Sequence, residues 1–221
     1  MDWLEFILAF LAFFASHLGP TRPGIRTRLV AVFGARGFTI TYSVLSLVVL
    51  VWLIGAAGRA PYLQLWPWAP WQVHGTHLAL LASCLILSLS VGRPNPFSFG
   101  GGTNLFDPKK PGLVRWMRHP ILIALALWSA AHLLVNGALA HVILFGLFLA
   151  FSLLGQRIID QRNRRQMGAE WERLNKARRS DSDLLSAFGK REFALRTSAG
   201  ALFYATLVHL HPVLFGVSAI L

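Results

Sequence analysis

From Phe38 to Ala57 the chain runs for 20 residues without one charged side chain. A helix of that length is about 30 Å long, the hydrocarbon thickness of a bilayer. Five further stretches are apolar, with Glu5 their single charged residue: 3–18, 72–91, 119–136, 138–155 and 197–221. Several are slightly short of the usual ~20 residues, which tilt, burial within a bundle or local thinning absorbs. The composition agrees, with 55% hydrophobic and 14% charged residues and a mean hydropathy of +0.54. A soluble domain of 221 residues carries more charge than this. The expected fold is therefore all-α, a polytopic membrane helix bundle of about six transmembrane helices in a single domain, 1–221.

The connecting segments 19–37, 92–118 and 156–196 hold four, five and eleven Lys or Arg residues. Together they carry 20 of the 21 in the chain, and Arg59 alone falls on the other side. The positive-inside rule places these three segments in the cytoplasm and both termini outside. The location this implies is a membrane crossed several times, with these three segments on its cytoplasmic side. The formal charge of +12 then belongs with anionic lipid and not with nucleic acid. Asp2 and Glu5 stand at the start of the chain where a signal peptide would carry Lys or Arg, so the first apolar run is expected to be a retained span. Tyr62, Trp66, Trp68 and Trp71 have the composition of an interfacial aromatic belt. The Pro- and Gly-rich loop after Gly92 should be non-helical at least to Pro111. Gly137 should make a tight outer turn, and the charged segment after Gln156 should be helical in its first part.

The stretch Arg115–Gly137 carries the chemistry. It holds Arg118, His119 and Pro120 at its start, then His132 and Asn136 inside an apolar helix. Polar side chains in such a helix are functional candidates, because lipid makes them costly. Eight histidines are present: His17, His74, His77, His119, His132, His141, His209 and His211. The single cysteine, Cys84, excludes an internal disulfide, a Cys-rich zinc site and covalent c-type haem attachment. No H-E-x-x-H motif is present, the spans lack the carboxylates of a di-iron site, and the His boxes of membrane desaturases are missing. Histidine among apolar and aromatic neighbours suits haem iron. The plainer alternative is a hydrogen bond to a neighbouring helix, which is the preferred reading for His74, His141 and His211. The Gly100–Gly101–Gly102 triplet reads as a connector, since no P-loop Lys-Ser/Thr follows it.

The motifs S-H-L at 16–18, R-H-P at 118–120 and A-H-L-L-V-N-G at 131–137 resemble the NnrU family of small bacterial membrane proteins. The resemblance extends over almost the whole chain, including D-Q-R-N-R-R-Q-M-G-A-E-W at 160–171. It implies an association with denitrification, through the expression, maturation or activity of nitrite or nitric oxide reductase. Those reductases, or their assembly machinery, are then the expected partners beside the lipid bilayer. NnrU proteins are also similar to 15-cis-zeta-carotene isomerase, which carries a histidine-ligated haem b. That similarity implies His17 and His132 as iron ligands, with Arg118 and His119 binding propionates or orienting the loop. Asn136 would then hold the second ring nitrogen of His132. Ser129 stands where the isomerase has a cysteine, so ligand exchange through a thiolate is not expected.

Depth leaves another pairing open. His132 follows His119 by 13 residues, about 20 Å along a straight helix. His17 with His119, and His132 with His77 or His209, is therefore an alternative. Three functions are weighed: a haem-binding support or assembly factor, a haem-dependent isomerase or oxidoreductase acting on a lipophilic substrate, and a methyltransferase. The last follows from a second resemblance. R-H-P before a span, with a later charged helix bearing G-x-E-W, is similar to isoprenylcysteine carboxyl methyltransferases. It would make S-adenosylmethionine the cofactor and Asp160, Glu170 or Glu172 the accompanying acids.

Overall fold

The computed structural model describes residues 3–20, 22–98, 106–179 and 183–219. Asp2, the Gly100–Gly102 triplet and the end of the sixth expected span lie outside these residues. Two compact units are present. One is built on the chain up to Pro67 together with Gly137–Leu144, the other on Trp68–Asn136 and the chain from Phe145 onward.

In the first unit, α1 (Trp3–Leu18) packs against α2 (Pro23–Arg59). The bounds of α1 are those expected of the first span. The first connecting segment, 19–37, differs from expectation, because the basic stretch after Pro23 is helical. Pro23 occupies the first turn, where its missing N–H costs nothing and its fixed φ suits a helix. The helical path is interrupted at Gly34, whose φ of 70° is open to glycine at little cost. Phe6 and Ala9 of α1 and Val49, Leu53 and Ala56 of α2 are buried. Glu5 accepts a 2.5 Å ion pair from Arg59 and a 3.3 Å hydrogen bond from Trp52 Nε1. The one cation outside the three basic segments is thus paired with the acid that opens α1. The turn at Gly137 is closed by Leu65 N–H to Gly137 O at 2.7 Å and Leu139 N–H to Leu63 O at 2.8 Å. A Cβ on residue 137 would stand 2.0 Å from the Trp66 carbonyl oxygen, so only glycine fits.

The second unit is organised on α3 (Pro70–Ser90), which packs against both α4 (Pro120–Val135) and α8 (Lys190–Phe215). Gln72 caps α3 by accepting the Ala69 N–H at 2.7 Å. Hydroxyls then join α3 to α4, from Thr76 to Ala131 O at 3.1 Å and from Ser83 to Ala124 O at 2.7 Å. Small and hydroxylated residues are what helices use to associate where lipid gives no hydrophobic drive. α5 (Leu139–Met167) continues unbroken past Gly155, where the fifth span was expected to end, and stops at Gly168, φ 55°. A 3-10 turn (Gly112–Arg115), α6 (Ala169–Ala177) and α7 (Leu184–Phe188) follow the loop and the charged segment. α8 begins at Lys190, seven residues before the expected Thr197, and ends at Gly216 in the left-handed region. Its charged first turns are helical because Glu192 and Arg196 pair one turn apart at 2.8 Å.

Four described helices, α2, α3, α5 and α8, are long and apolar enough to cross a membrane. The other two expected spans, α1 and α4, have 16 residues each, about 24 Å. Leu78, Leu202 and Val213 are 72%, 69% and 81% exposed. Apolar faces of this kind are unstable in water and at rest in lipid. At this level the chain is a helical membrane protein.

Candidate functional site

The Pro-rich loop returns to the bundle at Arg118–His119–Pro120. Pro120 starts α4, and His119, with a non-helical backbone (φ -122°, ψ 60°), occupies the cap position before it. His119 is 2% exposed, and its Nε2 donates to Asp160 Oδ1 at 2.9 Å. Arg118 grips the same carboxylate, from Nη2 at 2.6 Å and from Nε at 3.1 Å. Asp160 lies on α5 beyond Gly155, past the apolar run. Burial would raise its pKa, but the hydrogen bonds from Arg118 and His119 outweigh this and hold it below the usual carboxylate range.

His119 is neutral in this arrangement. Its Nδ1 is buried without a hydrogen-bond partner, and an imidazolium would strand a second charged N–H there. The Nε2–H tautomer leaves Nδ1 as an unprotonated acceptor.

A second layer fixes the loop. Asn95 donates to the Arg118 carbonyl at 2.9 Å and accepts the Phe97 N–H at 2.9 Å. Asn163, one turn after Asp160, donates to Phe97 O at 2.9 Å. Arg178, only 3% exposed, donates to the carbonyls of Val114 at 2.8 Å and Arg115 at 2.5 Å. Burial first, then the nearby Arg118 and Arg179 charges, push its pKa down to about 10. Trp171 is fully buried, with the Arg164 guanidinium 4.2 Å and that of Arg118 5.6 Å from its ring centre.

The two histidines implied as iron ligands are described each within its own unit. In α4, His132 Nδ1 donates to Trp128 O at 2.9 Å, and its ring stacks on Phe145 with centroids 4.9 Å apart. In α1, His17 Nδ1 donates to Phe13 O at 2.8 Å, and its ring lies 4.1 Å from that of Phe13. In both, a backbone carbonyl one turn earlier fixes the proton on Nδ1, so the ring lone pair is on Nε2. His77 differs: Nδ1 accepts from Tyr204 Oη at 2.7 Å, and Nε2 donates to Ala219 O at 2.8 Å. Among the described residues no group of three or more His, Cys, Asp or Glu side chains is placed to hold a metal ion.

A family model described as NnrU protein matches residues 5–219. The chain belongs to the NnrU family. No curated protein and no solved structure matches it.

In this NnrU protein the residues singled out from the sequence separate into two groups. Arg118 and His119 come together with Asp160, and they hold the loop to α5. Both of their carboxylate-facing groups are engaged there, so orienting the loop is the role their geometry supports. His132 and Asn136 are neighbours on α4, but the Asn136 amide donates to the His132 backbone carbonyl at 2.8 Å and not to its ring. The second ring nitrogen is held by Trp128 O instead. Ser129 is fully buried on the same helix. Glu170 pairs with Arg173 in the exposed first turns of α6, away from any role beside Arg118.

Each of His17 and His132, taken within its own unit, has surroundings that a metal-holding histidine could use. Metal-bound histidine is ordinarily oriented by a hydrogen bond from its other nitrogen to a carbonyl or carboxylate, and aromatic rings wall both side chains. Asn95, Asn163 and Arg178 were not legible as site residues, and Trp171 entered only as the end of the G-x-E-W motif. The one signal was polarity: two asparagines, in P-N-P and in a charged helix, that turn out to be buried.

Proposed function

We propose that this NnrU protein supports denitrification as a haem-b-binding bundle in the bacterial inner membrane. It would serve the expression, maturation or activity of nitrite or nitric oxide reductase. Six spans with both termini outside are part of the same reading, supported by the 20 basic residues of the three connecting segments. His17 and His132 are the proposed iron ligands. When bound, the haem would supply a redox-active iron, and the two imidazoles that hold it would tune its potential.

The observation that carries the reading is the shared tautomer. Each imidazole gives its Nδ1 proton to a backbone carbonyl, at 2.8 and 2.9 Å, and keeps its lone pair on Nε2. Phe13 beside His17, and Trp128 and Phe145 beside His132, keep the rings in apolar surroundings. Arg118, through Nε and Nη2, and His119, through Nε2, are engaged by Asp160, which favours this reading over S-adenosylmethionine binding. A haem-dependent isomerase or oxidoreductase would use the same ligands, and deletion of the gene separates the two. Loss of a support factor leaves the reductase polypeptides present but inactive.

The direct test is an oxidised-minus-reduced spectrum with pyridine haemochrome quantification on detergent-purified protein, beside His17→Ala and His132→Ala. Stoichiometric haem b, lost in either variant, is the expected result. Protein free of haem after haem-replete expression would overturn the proposal.

A further inference from the structure

A groove of about 920 Å³ opens between the last turns of α3 and the first turns of α8. Its character changes along its length. At one end stand Lys110, Arg191 and Arg196, with the single carboxylate Glu192. Glu192 is already consumed, because Arg93 and Arg196 both pair with it. Arg196 is consumed too, since its Nη1 caps α3 by donating to Ser88 O and Val91 O, each at 2.8 Å. Among the described residues neither Arg191 nor Lys110 has a carboxylate partner, and both are exposed. The groove therefore presents two uncommitted cations over a neutralised floor.

Away from that end the lining is apolar. Leu195, Ala199 and Phe203 recur one turn apart on α8, across from Leu87 of α3 and Val91 just beyond its end. Eight residues of helix separate Leu195 from Phe203, about 12 Å of apolar wall. Half of a bilayer's hydrocarbon core is about 15 Å deep. Leu195 and Phe203 are 62% and 44% exposed, so the wall is open to lipid. The basic end belongs to two of the segments that the charge asymmetry assigns to the anionic cytoplasmic face.

We infer that this groove binds an anionic phospholipid. Arg191 and Lys110 hold the phosphate, and one acyl chain lies along Leu195, Ala199 and Phe203. Phosphate alone would use only the basic end, and a zwitterionic lipid would gain little from it. Each cation near a membrane surface favours anionic lipid by about fivefold.

The test uses the full chain purified in detergent, with lipid adducts counted by native mass spectrometry. Phosphatidylglycerol and phosphatidylcholine with identical chains are offered in equal amounts. The expected result is preferential retention of phosphatidylglycerol, falling roughly tenfold to thirtyfold in the Arg191→Gln/Lys110→Gln double variant. Both side chains are exposed, so the fold should survive the change. Ala199→Trp, filling the apolar wall, should lower retention of both lipids without altering the preference. Equal retention of the two lipids, or an unchanged preference in the double variant, would overturn the inference. So would displacement of bound lipid by inorganic phosphate at equal concentration, which marks an anion site without a chain.

Discussion

His119 and Asp160 stand 41 residues apart in the chain and 2.9 Å apart between Nε2 and Oδ1. Between them lie the whole of α4, the Gly137 turn and most of α5, so this contact ties the loop before α4 to the charged end of α5. Arg118 doubles the tie on the same carboxylate.

Replacing Asp160 with Asn should therefore destabilise the protein. The amide still accepts from His119, but Arg118 keeps its charge and loses its counter-ion. Breaking a fully buried pair costs about 3–5 kcal/mol. The Arg118 and Asp160 side chains are 27% and 16% exposed, which reduces the expected loss to about 1–3 kcal/mol. Thermal unfolding of the detergent-solubilised variant checks this. An unchanged Tm would mean that the ion pair adds nothing to stability.

The same carboxylate gives a pH signature. Its folded pKa is depressed below the unfolded value of about 3.9. The unfolded chain therefore binds the proton more readily, and the stabilisation is present above about pH 5 and lost as pH falls below about 4. The Tm gap between wild type and Asp160→Asn should be constant from pH 7 to 5 and should close on further acidification. A gap that widens in acid would contradict this sign.

The sequence made the apolar stretches legible because lipid demands uninterrupted hydrophobicity, and α1 matches its expected range residue for residue. It misjudged α2 and α8 where charged residues begin a helix, since Arg26, Arg28 and Lys190 read as loop on hydropathy alone. The R-H-P motif stood out, but its partner did not. Nothing local distinguishes Asp160 from the other charges of α5 until the fold brings it to His119. Buried Arg178 was hidden for the same reason: among eleven basic residues of one segment, only packing against Val114 and Arg115 sets it apart.

On the proposed haem reading, Asn136→Ala should leave haem content and spectrum as they are in wild type. The Asn136 amide is bonded to the His132 carbonyl, while the His132 ring is oriented by Trp128 O. Removing the amide frays the last turn of α4 at a cost near that of one hydrogen bond, about 1 kcal/mol. His132→Ala, measured in the same preparation, should abolish the spectrum. Loss of haem in Asn136→Ala would assign the asparagine a direct part in holding the ring.

Gly200 is the point where α8 comes closest to α3. A Cβ there would meet Ser88 Cβ at 3.0 Å, and Cys84 O and Leu85 Cα at 3.1 Å. Two of these three atoms are backbone, so the helices themselves must separate to admit a side chain. The Ser88 hydroxyl, which donates to Arg196 O at 2.6 Å, lies in the same crossing and would be drawn out of register. Gly200→Ala removes the helix-propensity cost of glycine, worth about 1 kcal/mol, which offsets part of this strain. Its net effect should be a small loss of stability. Gly200→Leu has no such compensation and should cost about 1–3 kcal/mol, the range for overpacking a close-packed interface. Thermal unfolding of the two variants beside wild type gives the order wild type, Ala, Leu. A Leu variant as stable as wild type would show that α3 and α8 do not cross at this residue.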